Sequence, residues 1–296
     1  MHTVNDALEH CAQALDAAGV CFGHGCDNAW DEAVQLVLTA MKLPIDADES
    51  VLPLPVSPTQ RQQLEDWLIQ RIEERVPLPY IIGRAWFAGL ELRCDDRAIV
   101  PRSPLGELIL GDYQPWYEGP PPRRILDLCC GGGAIGLAAA HYAPECSVDL
   151  LDLDPAALAL ARENRDLLGL QARTECLESD LFSAVVGRRY DIILSNPPYV
   201  DARDLASMPA EYHREPALAL GSGSDGLDIT RRILAEAAHY LNPRGLLVVE
   251  VGNSWEALEA AYPGVPFTWV EFVEGGHGVF VLSAAELHQY REQLQR

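Results

Sequence analysis

No apolar stretch of this chain approaches the roughly 18 residues needed to cross a bilayer, so no membrane span is expected. Basic residues are scarce: 22 Lys and Arg stand against 44 Asp and Glu, a formal net charge of −22. Such a surface repels a phosphate backbone, no long basic stripe offsets it, and direct DNA binding is not expected. The same charge attracts and steers a basic partner. The opening MHTVNDALEH lacks the basic region and apolar segment of a signal peptide, and a cytoplasmic location is expected. Eight cysteines in 296 residues form no disulfide framework, and the adjacent Cys129 and Cys130 cannot pair without strain, which favours reduced thiols. Cys21, His24 and Cys26 match no zinc spacing and no second ligand pair follows, so no metal is expected. Repeats and low-complexity tracts are absent.

What is present falls into three stretches. Residues 3–19 and 29–42 carry helical apolar stripes, and SPTQRQQLEDWLIQRIEERV opens with Ser57 as a cap and Pro58 at the first helical position. Residues 1–85 therefore read as a small helical domain, with substrate docking or structural support as its expected role. WFAGLELRCDDRAIV, residues 86–100, alternates around an Asp-Asp turn as a β-hairpin and leads through a Pro-rich bridge to residue 122. From 123 to 296 strands alternate with helices, the pattern of a parallel sheet covered on both faces, with FTWVEFV and GVFVLS as the last two strands.

In such sheets ligands sit beyond the carboxyl ends of the strands. In ILDLCCGGGAIG a strand reaches Asp127, and Gly131, Gly132 and Gly133 turn the chain into a helix. Glycines there let backbone approach either a pyrophosphate or the amino-acid end of S-adenosylmethionine. About twenty residues on, Asp152 ends the next strand, where a carboxylate can accept from both ribose hydroxyls of either cofactor. In ESDLF, Asp180 ends a third strand and can meet an adenine amino group, or cap a short helix, while Leu181 or Phe182 packs on the ring.

The fourth strand end is the most unusual. YDIILS runs into Asn196, Pro197, Pro198 and Tyr199. Two prolines cannot donate to a ladder, so the strand stops and the backbone stiffens. The Asn196 side-chain carbonyl and the Pro197 backbone carbonyl are two acceptors matched to the two N–H groups of a planar amino group, and Tyr199 can stack on its flat face. An amide nitrogen is a weak nucleophile because its lone pair is delocalised. Holding both N–H groups favours pyramidalisation, and positive charge developing on nitrogen strengthens the same hydrogen bonds in the transition state. No metal is required.

The order DLCCGGG, LLDLDP, ESDLF, SNPPYV resembles the class I S-adenosylmethionine-dependent methyltransferases, and over nearly the whole chain it is most similar to the HemK-type glutamine methyltransferases. The resemblance implies an α/β, Rossmann-like fold with a mostly parallel seven-stranded sheet, a small all-helical N-terminal domain and a connecting hairpin. It implies S-adenosyl-L-methionine as cofactor, with Asp127, Cys129, Cys130, Gly131, Gly132, Gly133, Asp152, Asp180, Leu181 and Asn196 around it. Asn196, Pro197, Pro198 and Tyr199 would hold the substrate glutamine. FGHGCDNAWDEA, PRSPLGELI and EPALALGSGSDGLD resemble the branch that methylates large-subunit ribosomal protein L three, a basic substrate, to N(5)-methylglutamine. Release-factor methyltransferases instead carry Asp-Thr-Glu where this chain has Pro104, Leu105 and Gly106. Two departures stand out: Cys129 occupies a position that is Gly in the wider class, and Gly132 one that is often Ser or Thr. The alternatives are a release-factor methyltransferase, an adenine-N6 methyltransferase, which shares the (D/N)PPY holder, and a ribosome-assembly binding factor. A dehydrogenase shares the glycine loop but has no use for the holder.

Overall fold

A computed structural model describes residues 1–295. The chain forms two compact units: Met1–Ala85 with Cys94–Asp96 and Pro209–Arg214, and Trp86–Arg93 with Arg97–Met208 and Glu215–Arg296.

The first unit is helical. α1 (Val4–Ala18) starts at a capping box in which Thr3 and Asp6 bond each other's backbone, and stops at Gly19, whose φ of 55° ends the helix without steric cost. α2 (Ala29–Met41) is capped by Asn28, and α3 (Pro58–Ile72) by Ser57 and Gln60 with Pro58 in the first turn. A short α4 (Leu78–Ile82) follows. Val4, Leu8 and Leu15 of α1, Leu36 and Val37 of α2, and Leu64 and Leu68 of α3 form its core. Within that core lies Arg71, fully buried. Its guanidinium donates twice to Glu32 (2.9 and 3.0 Å), to the Cys21 carbonyl (2.7 Å) and to Glu211 (3.2 Å). A desolvated cation is tolerable only with such complete pairing. Glu211 comes from the segment 209–214, which the sequence placed in the other domain; its carboxylate also accepts from the Cys21 N–H and from Arg75.

β1 (Arg84–Phe87) and β2 (Leu90–Arg93) form a two-stranded sheet. Its turn is Ala88-Gly89, not the expected Asp-Asp pair. Both residues have positive φ (48° and 78°), the conformation of a tight hairpin turn that glycine favours.

The second unit continues with α5 (Leu105–Leu110), β3 (Arg124–Leu128), α6 (Ala134–Tyr142), β4 (Ser147–Asp152), α7 (Pro155–Leu167), β5 (Thr174–Glu178), β6 (Tyr190–Ser195), α8 (Ala202–Ser207), α9 (Asp228–Glu236), β7 (Leu241–Glu250), α10 (Trp255–Ala261), β8 (Thr268–Trp269), β9 (Val279–Ser283), α11 (Ala284–Gln289) and α12 (Arg291–Leu294). The seven strands lie in the order β5-β4-β3-β6-β7-β9-β8, parallel through β7, with β9 antiparallel to β7 and β8. This is a Rossmann-like fold with one antiparallel strand near its edge. Alternate strand residues supply two cores. Ile125, Val148, Ile192 and Val248 face α5 and α6, whereas Leu126, Leu151, Ile193 and Leu247 face α9, α10 and α11. Strands so buried on both sides read as continuous apolar runs.

Two expectations near the C-terminus fail. Only Thr268–Trp269 of FTWVEFV is strand, and the chain does not close on β9. Ser283 and Glu286 form a capping box that starts α11, a Ser-x-x-Glu signal that the strand pattern of GVFVLS masked. Among the described residues no helix is long and apolar enough to cross a membrane, and no group of three or more His, Cys, Asp or Glu residues could hold a metal ion. All eight cysteines are free thiols.

Candidate active site

The chain winds from β3 outward to β5, then crosses back to lay β6 on the other side of β3. This reversal opens a crevice at the carboxyl ends of β3 and β6. Register aligns those ends: Leu128 pairs with Ser195 and, on the other side, with Leu151. Cys129, Asp152 and Asn196 therefore emerge side by side. The buried Ser195 hydroxyl donates to the Leu128 carbonyl (2.9 Å) and ties the two ends together.

The glycine loop is held from both sides. The Cys130 N–H donates to the Leu151 carbonyl (3.0 Å), and the Gly131 N–H to Asp152 Oδ2 (2.8 Å). Asp152 Oδ1 accepts from the Asp154 N–H (2.9 Å), while Asp154, not Asp152, caps α7. Each Asp152 oxygen keeps a lone pair for a ligand. Burial raises the Asp152 carboxyl above its usual range, against the lowering effect of backbone N–H bonds from Asp154, Gly131 and Leu153. Cys129 has φ of 58°, a left-handed backbone carried by a non-glycine residue. Leu181 is also left-handed, at 49°. Non-glycine residues in this region carry strain of about 1 kcal/mol each, and such strain collects at ligand sites. Asp127 lies beneath the loop, fully buried. Its Oδ2 accepts from the Gly136 N–H (2.7 Å), and a Cβ on Gly136 would lie 2.8 Å from that oxygen, so only glycine fits. Oδ1 has no hydrogen-bond partner among the described residues. Burial, with a smaller push from Asp152, raises the Asp127 carboxyl to about 8.

One cavity joins these parts. Cys129, Gly131, Asp152, Asp180, Leu181, Asn196 and Pro198 line it. Cys130, Gly132 and Gly133 lie behind this surface. Cys130 belongs to the core, its thiol pushed well up by burial. The Gly132 carbonyl accepts from Asn164 (3.0 Å), and a Cβ there would crowd Leu160 at 3.2 Å. Gly133 starts α6 with φ of 86°. Asp127, Pro197 and Tyr199 also lie outside the lining. Phe182, offered with Leu181 as a ring-packing residue, is turned into the core, where it stacks on Tyr240 (4.3 Å between centroids, 11° between planes). Asp180 pairs with Arg232 of α9 at 2.8 Å rather than capping a helix. Both partners are half exposed, so the pair contributes at most about 1 kcal/mol.

The sequence reading missed much of the rest. Arg97, Ala98 and Ile99 form one wall, and Pro216, Leu218, Ala219 and Gly221 another. The second wall is anchored by Glu215, whose buried carboxylate accepts from the Val100 N–H (2.9 Å) and from both ends of the Arg102 guanidinium. Nothing in the spacing of these stretches marks them as walls. Glu250, at the end of β7, did carry a signal: it is a strand-end acid like Asp152. It is 5% exposed and accepts from the hydroxyls of Tyr199 (2.9 Å) and Ser103 (2.6 Å).

A family model described as methyltransferase small domain matches residues 117–211. A ribosomal protein uL3 glutamine methyltransferase of Francisella tularensis is 42% identical over 297 residues, covering 100% of this chain and 95% of its own length. A protein of the same description from Xylella fastidiosa is 43% identical over 294 residues, covering 99% and 94%. Among solved structures, the hMettl16 catalytic domain in complex with a 3'UTR hairpin aligns with a TM-score of 0.52 at 15% identity, covering 76% of this chain and 80% of that one. That last likeness is one of fold alone.

Proposed function

We propose that this chain, which belongs to the family of ribosomal protein uL3 glutamine methyltransferases, methylates the side-chain amide nitrogen of a glutamine in uL3 with S-adenosyl-L-methionine, giving N(5)-methylglutamine. The observation that carries the reading is one cavity lined by Asn196 and Pro198 on one side and by Cys129, Gly131 and Asp152 on the other. An amide holder and a nucleoside-type site open onto the same space.

The residues present suit that cofactor. Asp152 has lone pairs for ribose hydroxyls, Leu181, Ile229 and Ala98 give apolar surface for a base, and Asp180 offers an acceptor at the rim. Gly131 lets backbone approach closely, and Asp127 Oδ1 is a buried polar atom under the loop with no hydrogen-bond partner among the described residues. Cys130, Gly132 and Gly133 act behind the lining by shaping the turn. When bound, the cofactor supplies an electrophilic methyl on a positively charged sulfur. The protein's own part is orientation and electrostatics. Asn196 Oδ1 and the Pro197 carbonyl accept the two N–H groups of the carboxamide. Pro197 and Pro198 keep those oxygens from relaxing, and Tyr199 sits against the amide plane. Positive charge growing on nitrogen strengthens both hydrogen bonds, so they stabilise the transition state more than the ground state.

We assign residues 1–85 to docking of the substrate protein, 86–122 to the link and 123–296 to methyl transfer. The acidic surface favours a basic ribosomal protein over free DNA and gives direct DNA binding no support. The cytoplasm, where uL3 is synthesised, is the matching location. Mass spectrometry of uL3 incubated with the protein and labelled cofactor tests the assignment: one methyl on a glutamine is expected. Label on a release factor or on DNA, with uL3 unmodified, would overturn it. Asn196→Ala should lower turnover by about 10²-fold or more while leaving folding intact.

A further inference from the structure

Tyr199 is fixed more tightly than a stacking residue needs to be. Its carbonyl accepts from the Ser254 hydroxyl (2.8 Å). Its ring lies so close over Gly252 that a Cβ there would overlap it, and Gly252 has φ of 45° besides. Its hydroxyl donates to Glu250 (2.9 Å). Glu250 follows Val249, the β7 partner of Ser195, and so stands level with Asn196 on the neighbouring strand. Its second oxygen accepts from the Ser103 hydroxyl (2.6 Å), and Ser103 Oγ in turn accepts from the Leu105 N–H (3.2 Å) at the start of α5.

The direction of these bonds matters. An ionised carboxylate only accepts, so Glu250 forces both hydroxyls to point their protons at it. The Tyr199 proton is thereby committed away from the substrate. A carboxamide at residue 250 would donate through its nitrogen and make one hydroxyl turn round, with almost no change of shape. Burial raises the Glu250 carboxyl, and its two hydroxyl partners act against that shift.

We propose that Glu250 is a positioning residue of the methyl transfer: held against Ser103, its carboxylate fixes the rotation of the Tyr199 ring and the direction of its hydroxyl, and so the plane in which the glutamine amide is presented. This rests on the reading of residues 196–199 as the amide holder. Glu250 lies outside the lining of the cofactor cavity, so it acts through Tyr199.

The test compares wild type, Glu250→Gln, Tyr199→Phe and the double variant on uL3. It measures kcat, KM, S-adenosylhomocysteine affinity by calorimetry, and Tm. Glu250→Gln is expected to lower kcat about tenfold, the worth of one charge-assisted hydrogen bond, with KM for uL3 and affinity for S-adenosylhomocysteine within twofold of wild type. Tyr199→Phe breaks the same bond from its other end and reads the effect even if the Gln variant folds poorly. The double variant should be no slower than the slower single variant, because both act through one ring. An unchanged kcat in both single variants, or losses that multiply in the double variant, would overturn the proposal. A structural role alone would lower Tm and leave kcat of the folded protein unchanged, which also counts against it. Wild-type protein that leaves uL3 unmethylated would instead overturn the reading of the site itself.

Discussion

Asp127 gives this protein an unusual dependence of stability on pH. Most buried aspartates are paired and have a lowered pKa, so they stabilise the fold as pH rises. Asp127 is the reverse case: it is fully buried, has one N–H bond and an unpartnered Oδ1, and its carboxyl is raised to about 8. The unfolded carboxyl titrates near 3.9. Below that value both states hold the proton. Between about 4 and 8 only the folded state does, so stability falls by about 1.4 kcal/mol for each pH unit gained. From pH 6 to about 8 the loss is roughly 2–3 kcal/mol, or on the order of 5–10 °C in Tm for a domain of this size. Asp127→Asn removes the titration. The variant keeps an acceptor for the Gly136 N–H but puts an NH2 group where Oδ1 had no partner, a pH-independent cost of about 1–3 kcal/mol. Against the neutral carboxyl the variant should be the less stable protein near pH 4; the gap should close by about pH 6 and invert by about pH 8. Asp152 shifts in the same direction, so the readout is the difference between the two Tm-against-pH curves in the absence of cofactor. Parallel curves from pH 6 to 9 would show that Asp127 is ionised throughout and refute the reasoning.

Other expectations follow from the same reading of burial and charge. Arg71→Met leaves Glu32 a buried carboxylate without its guanidinium and Glu211 with Arg75 alone, which should cost about 3–5 kcal/mol; chemical denaturation followed in the helical unit measures it, and loss below 1 kcal/mol would contradict the geometry. Gly136→Ala drives a methyl into Asp127 and Leu150; a fall in Tm is expected together with weakened cofactor binding, because Gly136 and the loop share one helix start. The association rate with uL3 should drop steeply between low and physiological salt if the net charge of −22 steers the encounter, as stopped-flow fluorescence would show; a salt-independent rate would rule steering out.

Much of the site was legible because it lies at strand ends. Asp152, Asn196 and the glycine loop each follow an apolar run that can only be a buried strand, and a sheet with one reversal gathers such ends in a single place. Local rules also gave the cap Ser57 with Pro58 behind it, since a cap depends on residues a few positions apart. The turn at Ala88-Gly89 was misplaced because two aspartates are a louder turn signal than one glycine, although left-handed backbone decides where the chain reverses. Phe182 was a candidate only because sequence cannot tell which of two adjacent apolar residues faces the cavity; the left-handed backbone at Leu181 turns Leu181 outward and Phe182 towards Tyr240.

The sequence alone determined most of the strand and helix order from β3 to β7, the acidic character and which residue types stand at four strand ends, because these depend on period, composition and neighbours a few residues apart. Tertiary structure decided which residues share the cavity with them. Arg97, Pro216, Leu218 and Arg232 reach it from separate loops and a helix, and Glu250 meets Tyr199 across 51 positions of chain. Nothing local encodes such meetings; they exist only once apolar burial on both faces of the sheet fixes the register of strands remote in sequence.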